Sequence, residues 1–456
     1  MTGIAPSYEL AAGENPAAPT LETRLGDPFS DGAIRFETIA ENEDASRLTP
    51  AVRSLCENWG VAAEIVPLAF GGRRTSAARL VSQLRPLFRR DVSLGVDLVV
   101  APLAVVNAAL ATGDVPARSE LVRRIGAGER AGAVLAEPDA FAPARGICAR
   151  AIQDGWLADG ESPLVASADA SALWALPARV GASEALVLCD TTDVGVDIAP
   201  RVETVGLRGT RFGIATVRSV LPADGVLHAE EGSRALEHAR AETATIIAAL
   251  MVGAVDTAVH LAVPYAEGRR LYRGTVLDIP HARSLLADVH TDLLIADALA
   301  TRAVAQLDAG RSDEAEAAAS ARLVPLLLGD AMRALSVLFG STFYARVEPY
   351  AVFETFVRDV GSLSLLGLGT PGPLGPLPRE AAVRIAGEVC TELHRTGAAA
   401  ASDEWLAAAR VRLGTRLTGR KASLPEASIE RAVDDLTSCV ESGRSVTLER
   451  VPIFGR

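Results

Sequence analysis

Aromatic residues are scarce in this chain: Phe, Trp and Tyr together make up 4% of 456 residues. With abundant Ala, that scarcity favours helix–helix packing over a large β-architecture. Positive charge is in deficit too. The formal net charge is -12 and the pI is about 5.2, which argues against binding a phosphate backbone. The longest uninterrupted apolar run, residues 246–255, is about half of what a membrane-spanning helix needs, so no membrane association is expected. No basic stretch followed by an apolar core opens the chain, so no signal peptide is expected. The six histidines form no H-x-H or H-x-x-x-H pair, and no metal site is expected. Cys56, Cys148, Cys189, Cys390 and Cys439 are odd in number, widely spaced and without a C-x-x-C. They read as reduced thiols of a cytoplasmic protein.

What is present sorts into segments. Residues 1–45 are rich in Gly, Pro and acidic residues and read as a flexible extension. Residues 46–130 carry helical periodicity, opened by Leu48-Thr49-Pro50 with Pro at a first helical position. Val66-Pro67 and Gly71-Gly72 interrupt it. Residues 131–228 switch to short alternating runs separated by Asp and Gly turns, the pattern of a small β-domain. Residues 229–378 return to long apolar-faced helices over 244–271, 281–307 and 318–338. Residues 379–456 read as two or three further helices. The expected fold class is α+β, mostly α: helical domain, β-barrel-like middle domain, helical bundle.

Four motifs occur in one order. Residues 111–129, ATGDVPARSELVRRIGAGE, lead into the β-domain. Residues 155–160, GWLADG, read as a hairpin. Residues 205–227, VGLRGTRFGIATVRSVLPADGVL, read as a β-hairpin about Gly209-Thr210. Residues 264–289, PYAEGRRLYRGTVLDIPHARSLLADV, lie on a long helix and beyond. Together they resemble the acyl-CoA dehydrogenase family across residues 48–370. That resemblance implies an α,β-dehydrogenation of an acyl thioester, on CoA or on an acyl carrier protein, with FAD and without a metal. It also implies an oligomer, built with copies of itself or with a dehydrogenase homologue.

The resemblance maps site residues onto this chain. Arg269 falls where the family's arginine meets the FAD diphosphate, a forked partner for a dianion; its other reading is a solvated helix charge. Tyr272 replaces a family Phe, and Pro280 a Gln. Ala136 stands where a Thr bonds the flavin, with Phe141-Ala142-Pro143 in place of Gly-Ser-Asp. Leu164 takes the place of the aromatic over the flavin ring, and Ala166 that of a Ser/Thr. Backbone N–H groups at Ala136 and Ala166 remain as donors, and each lost hydroxyl costs on the order of 1 kcal/mol. In the loop that closes over the neighbouring flavin, Ser336 replaces Gln and Gly340 remains.

The general base is the largest departure. After Arg358-Asp359, Leu368 occupies the position of the family's Glu, before Gly369-Thr370. Leucine cannot accept a proton. In some members the base lies early in the long helix, which maps to Thr243 with Glu242 beside it. A one-residue step rotates a helical side chain by about 100°, so Glu242 needs a local change of register to act. Its other role is a solvated charge near a helix start. The losses fall together on the base and the flavin contacts. They point to a catalytically impaired subunit or an atypical site. The alternative is a flavin-free use of the fold on an acyl-thioester or polyketide-like substrate.

Overall fold

The computed structural model describes residues 20–30, 32–44, 50–112, 115–135, 146–198, 202–228, 233–310, 314–345, 347–368 and 377–455. Two helices come first, α1 (Leu21–Leu25) and α2 (Phe36–Asp44). The Thr20 hydroxyl caps α1 by accepting the Thr23 N–H at 3.2 Å. Leu21, Leu25, Phe36 and Ile39 are buried. Leu21 and Leu25 share a face at i, i+4, so residues 20–44 pack rather than trail, unlike the loose extension expected from composition. Next come α3 (Pro50–Trp59), α4 (Val61–Ile65), α5 (Ala77–Phe88), α6 (Val92–Gly95), α7 (Ala101–Leu110) and α8 (Val115–Gly126). Ser76 caps α5. A π-helical turn over Val96–Val100 joins α6 to α7. It carries the buried Asp97, which takes two hydrogen bonds from Arg130 at 2.8 and 2.9 Å and one from Arg53 at 2.9 Å.

The β-domain holds β1 (Ala131–Val134), β2 (Ile147–Ile152), β3 (Gly155–Ala166), β4 (Leu173–Val180), β5 (Ser183–Asp190), β6 (Val196–Ile198), β7 (Gly213–Leu221) and β8 (Val226–His228). The order is β6-β7-β3-β1-β4-β5-β8, with β2 also pairing β3 and β4. Gln153-Asp154 turns β2 into β3, with Ile152 opposite Gly155; Gly155–Gly160, expected as a hairpin, lies wholly within β3. Residues 205–227 depart from the hairpin reading. Only β7 and β8 are strands there, and they pair with different neighbours, β7 with β3 and β6, β8 with β5. Leu207 and Arg211 adopt left-handed backbone, φ 56 and 60, around a tight turn at Arg208–Thr210. An apolar alternation does not reveal such a turn.

The helical half begins with α9 (Ser233–Gly268), followed by the short hairpin β9 (Arg270–Leu271) and β10 (Gly274–Thr275). Then come α10 (Pro280–Asp308), α11 (Glu314–Phe339), α12 (Ala351–Gly361), α13 (Arg379–Arg395), α14 (Asp403–Thr418) and α15 (Glu426–Glu441). α9 packs against α5, α7, α10 and α11, while α13, α14 and α15 lie on α10. The membrane expectation needs correcting. Three helical stretches, Val92–Leu110, Ala235–Gly268 and Glu314–Tyr344, are long and apolar enough to cross a bilayer. An uninterrupted-run criterion misses them because single polar residues such as Asp256 punctuate them. In this fold the most apolar window of Ala235–Gly268 is entirely buried, and the windows of Val92–Leu110 and Glu314–Tyr344 are 83% and 50% buried. Helix–helix packing thus accounts for most of that apolar surface.

Candidate functional site

Leu368 closes the segment after α12. A short 3-10 turn, Leu363–Leu366, leads to Gly367 at φ 75, and the Leu368 N–H donates to Leu363 O at 3.1 Å. The Leu368 side chain is buried in the main hydrophobic core. Gly369 and Thr370 lie outside the described residues. The position that the resemblance aligns with the family's base therefore holds a buried alkyl group.

Glu242 lies within α9, which runs without a break, so no change of register turns it inward. Thr243 is the inward residue. Its hydroxyl donates to Ala239 O at 2.8 Å and accepts from Asn107 Nδ2 at 3.1 Å. Asn107 Oδ1 in turn accepts from Arg74 Nη1 at 2.9 Å, and that same nitrogen stands 4.0 Å from Glu242 Oε1. Asp308 sits nearby, accepting the Ala77 and Ala78 N–H groups at 2.6 and 3.0 Å. Partial burial raises the Glu242 pKa, Arg74 opposes the rise, and Asp308 adds to it. This is a half-exposed carboxylate tied to a guanidinium.

Strand β3 shows how the β-domain is fixed. Its register against β7 shifts between Ser162 and Val165, and Leu164 at that bulge is buried with φ 48. Ala166 is buried and faces Ala133 of β1. Ala136, with Phe141, Ala142 and Pro143, lies outside the described residues. Ser167, which the motif comparison passed over, has φ 59 and donates its N–H to Thr210 O at 3.2 Å. Its buried hydroxyl has no partner among the described residues. Thr210 Oγ1 donates to Ser93 O at 3.4 Å, tying the turn to α6. The turn is also held by α12. Asp359 accepts the Leu207 N–H at 2.6 Å and Arg358 donates to Val205 O at 3.0 Å. A Cβ on Gly206 would lie 2.2 Å from Arg358 O, so only glycine permits this approach.

Arg269 follows α9 directly, and Tyr272 stands at the tip of the β9–β10 hairpin with φ 56 and full exposure. Tyr265, one turn earlier, donates its hydroxyl to Phe339 O at 3.1 Å. It also shares a hydrogen bond of 2.9 Å with Thr342 Oγ1. Tyr265 therefore ties the end of α9 to the turn Gly340–Tyr344. Gly340 has φ 55 with open space around it. Arg269 and Tyr272 thus lie at the end of α9 and on the hairpin after it, and Gly340 begins the turn that Tyr265 contacts, whereas Leu164 and Ala166 belong to the β-domain.

A family model described as acyl-CoA dehydrogenase, C-terminal domain, matches residues 230–371. The benzylmalonyl-CoA dehydrogenase of Aromatoleum aromaticum is 25% identical over 355 residues, covering 75% of this chain and 92% of that relative. These comparisons support a member of the acyl-CoA dehydrogenase family, with residues 230–371 matching its C-terminal domain. Solved structures share the fold. Butyryl-CoA dehydrogenase from Megasphaera elsdenii superposes with a TM-score of 0.65 at 16% identity, over 78% of this chain and 93% of its own. PigA with FAD and proline gives 0.65 at 15% identity, over 77% and 92%.

FAD is the cofactor that this likeness makes plausible, and the described residues fit it in part. The exposed Arg269 guanidinium suits a diphosphate. At the ring end, Leu164 and Ala166 supply no hydroxyl and no aromatic face, while Ser167 holds a buried hydroxyl without a partner. Among the described residues no cluster of three His, Cys, Asp or Glu suits a metal ion.

Proposed function

We propose that this chain binds an acyl thioester, on CoA or on a carrier protein, as the catalytically impaired member of an acyl-CoA-dehydrogenase-type assembly. The observation that carries the reading is Leu368. α,β-Dehydrogenation needs a positioned base at the substrate Cα, and a buried leucine fills the place where the family keeps it. FAD, when bound, supplies the hydride acceptor. Arg269 would hold its diphosphate, and backbone groups with Ser167 would face its ring. Glu242 does not replace the base, because it pairs with Arg74 on an unbroken helix. The free cysteines support a reducing, cytoplasmic setting. The dehydrogenase homologue is its partner in this reading, and a flavin-free acyl-binding role is the alternative.

The test is the visible spectrum of the purified chain, followed by anaerobic titration with acyl-CoA thioesters of several lengths. The expected result is thioester binding by calorimetry with no bleaching of any flavin band. Rapid bleaching by the chain alone would overturn the proposal. A protein with no flavin band that still binds thioester would favour the flavin-free alternative.

A further inference from the structure

Arg74 is buried without the partner that its charge calls for. Its side chain is only 9% exposed. Arg85, Arg89 and Arg90 are at least as deeply buried, and each donates to a carboxylate, at 2.9, 2.8 and 2.6 Å. Such bonds are what make a buried guanidinium tolerable. Arg74 has none of that kind. Its side chain makes one hydrogen bond among the described residues, to the neutral Asn107 Oδ1 at 2.9 Å. The nearest carboxylate oxygen, Glu242 Oε1, stands at 4.0 Å, where it attracts the charge but is too far for a hydrogen bond. Burial accordingly lowers the Arg74 pKa, against the pull of Glu242 and Asp308.

The guanidinium is nevertheless held in place. Arg74 Nη1 donates to Asn107 Oδ1, Asn107 Nδ2 donates to Thr243 Oγ1 at 3.1 Å, and Thr243 Oγ1 donates to Ala239 O at 2.8 Å. These bonds run in one direction from Arg74 through α7 into α9, and both Asn107 and Thr243 are buried. A guanidinium carries five N–H donors in a fixed fork. One goes to Asn107, and the others have no acceptor within hydrogen-bond distance among the described residues. Glu242, with a side chain 40% exposed, is the open edge of the cluster. A fixed, desolvated fork with donors to spare suits a carboxylate, whose two oxygens accept parallel N–H bonds.

Thr243 is also the residue onto which the alternative base position maps, so the cluster borders the acyl group beside its Cα. Building on the thioester reading above, we propose that Arg74, positioned by Asn107 and Thr243, binds a second carboxylate on the acyl group. The ligand is then a dicarboxylic acyl thioester rather than one with a hydrocarbon tail. The half-exposed Glu242 can turn into solvent as that carboxylate arrives, so its charge does not bar the site.

Calorimetric titration of the full-length chain tests this with three pairs of ligands: malonyl- against propionyl-CoA, succinyl- against butyryl-CoA, and glutaryl- against pentanoyl-CoA. Within each pair the acyl chains match in carbon count and differ by a carboxylate in place of a methyl group. In at least one pair the carboxylate member should bind about 10- to 100-fold more tightly, the range expected of charge-assisted hydrogen bonds. Arg74→Met should bring that member down to the affinity of its methyl counterpart. Asn107→Asp gives Arg74 the bonded carboxylate it lacks, so it should abolish the preference too, even where Arg74→Met fails to fold. Circular dichroism is the folding control. Binding of every pair without preference would overturn the carboxylate site and leave the thioester reading intact. No binding of any thioester would overturn that reading and the site with it. Equal loss of both members of a pair in Arg74→Met would assign the guanidinium to a phosphate of CoA, and a preference that survives both variants would put the carboxylate elsewhere; either result overturns the site.

Discussion

Asp359 of α12 accepts the backbone N–H of Leu207 at 2.6 Å, across 152 residues of sequence. The bond is buried, and it joins α12 to the turn whose Thr210 carbonyl accepts the Ser167 N–H at the end of β3. Leu207 has φ 56, a conformation costly for a branched side chain, so the turn depends on such outside restraint.

Asp359→Ala should therefore leave the Leu207 amide buried without an acceptor, at a cost of about 1–3 kcal/mol. Hydrogen exchange at Leu207 and Thr210 should accelerate more than exchange in α9. Unchanged protection at Leu207 would show that the turn holds itself.

A second network closes the chain on itself. α5 and the two residues that follow it present Arg85, Arg89 and Arg90, which pair with Asp297 at 2.9 Å, Asp256 at 2.8 Å and Glu22 at 2.6 Å. Each of those carboxylates also accepts a backbone N–H from the C-terminal segment, from Leu448, Val446 and Phe454 respectively. Burial alone would lower the Arg89 pKa, but Asp256 and Glu22 hold it above its ordinary value. Asp256→Ala leaves Arg89 buried with less compensation and should cost about 3–5 kcal/mol in urea unfolding. Asp256→Leu combined with Arg89→Leu should cost less than the two single changes added together. Strict additivity would mean the pair is not coupled.

Much of this was legible in the sequence because the signals are local. The helical, β, helical order shows in the switch of apolar period, and the long helices follow from it. The left-handed turn at Leu207–Arg211 did not show, because its restraint comes from Asp359, far along the chain. The packing of α1 and α2 was hidden for the same reason. Composition suggested a loose extension, whereas Glu22 and Phe36 are held by Arg90 and by aromatic residues of other elements. Leu368 could be aligned to the base position, but its burial is a tertiary fact. Ser167 was missed because no family motif marks that hydroxyl.

Glu242 should leave a pH signature in stability. Its folded pKa is raised, first by burial and then by Asp308, against the pull of Arg74. The folded chain thus holds that proton more tightly than the unfolded chain. Stability from this group is present below the ordinary carboxylate pKa and is lost as pH rises through the higher folded value. Glu242→Gln should remove that decline. The difference in melting temperature between variant and wild type should grow in the variant's favour from about pH 4 to pH 7. A constant difference would place Glu242 in free solvent.

The last prediction concerns the proton at Cα. Without a base at position 368, the wild-type chain should not exchange the α-hydrogens of a bound acyl-CoA with deuterium from solvent, as read by NMR of the recovered thioester. Exchange needs no hydride transfer, so the assay isolates the base from any question of flavin. Glu242→Gln should leave the background rate unchanged. Leu368→Glu places a carboxyl in an apolar site, which destabilises the fold and raises that group's pKa. A carboxyl with a raised pKa is a stronger base once ionised, so this variant should exchange measurably faster at high pH than the wild type. Retained circular dichroism would show that the variant remains folded. Fast exchange by the wild type that Glu242→Gln abolishes would make Glu242 the base and return this chain to the active dehydrogenases.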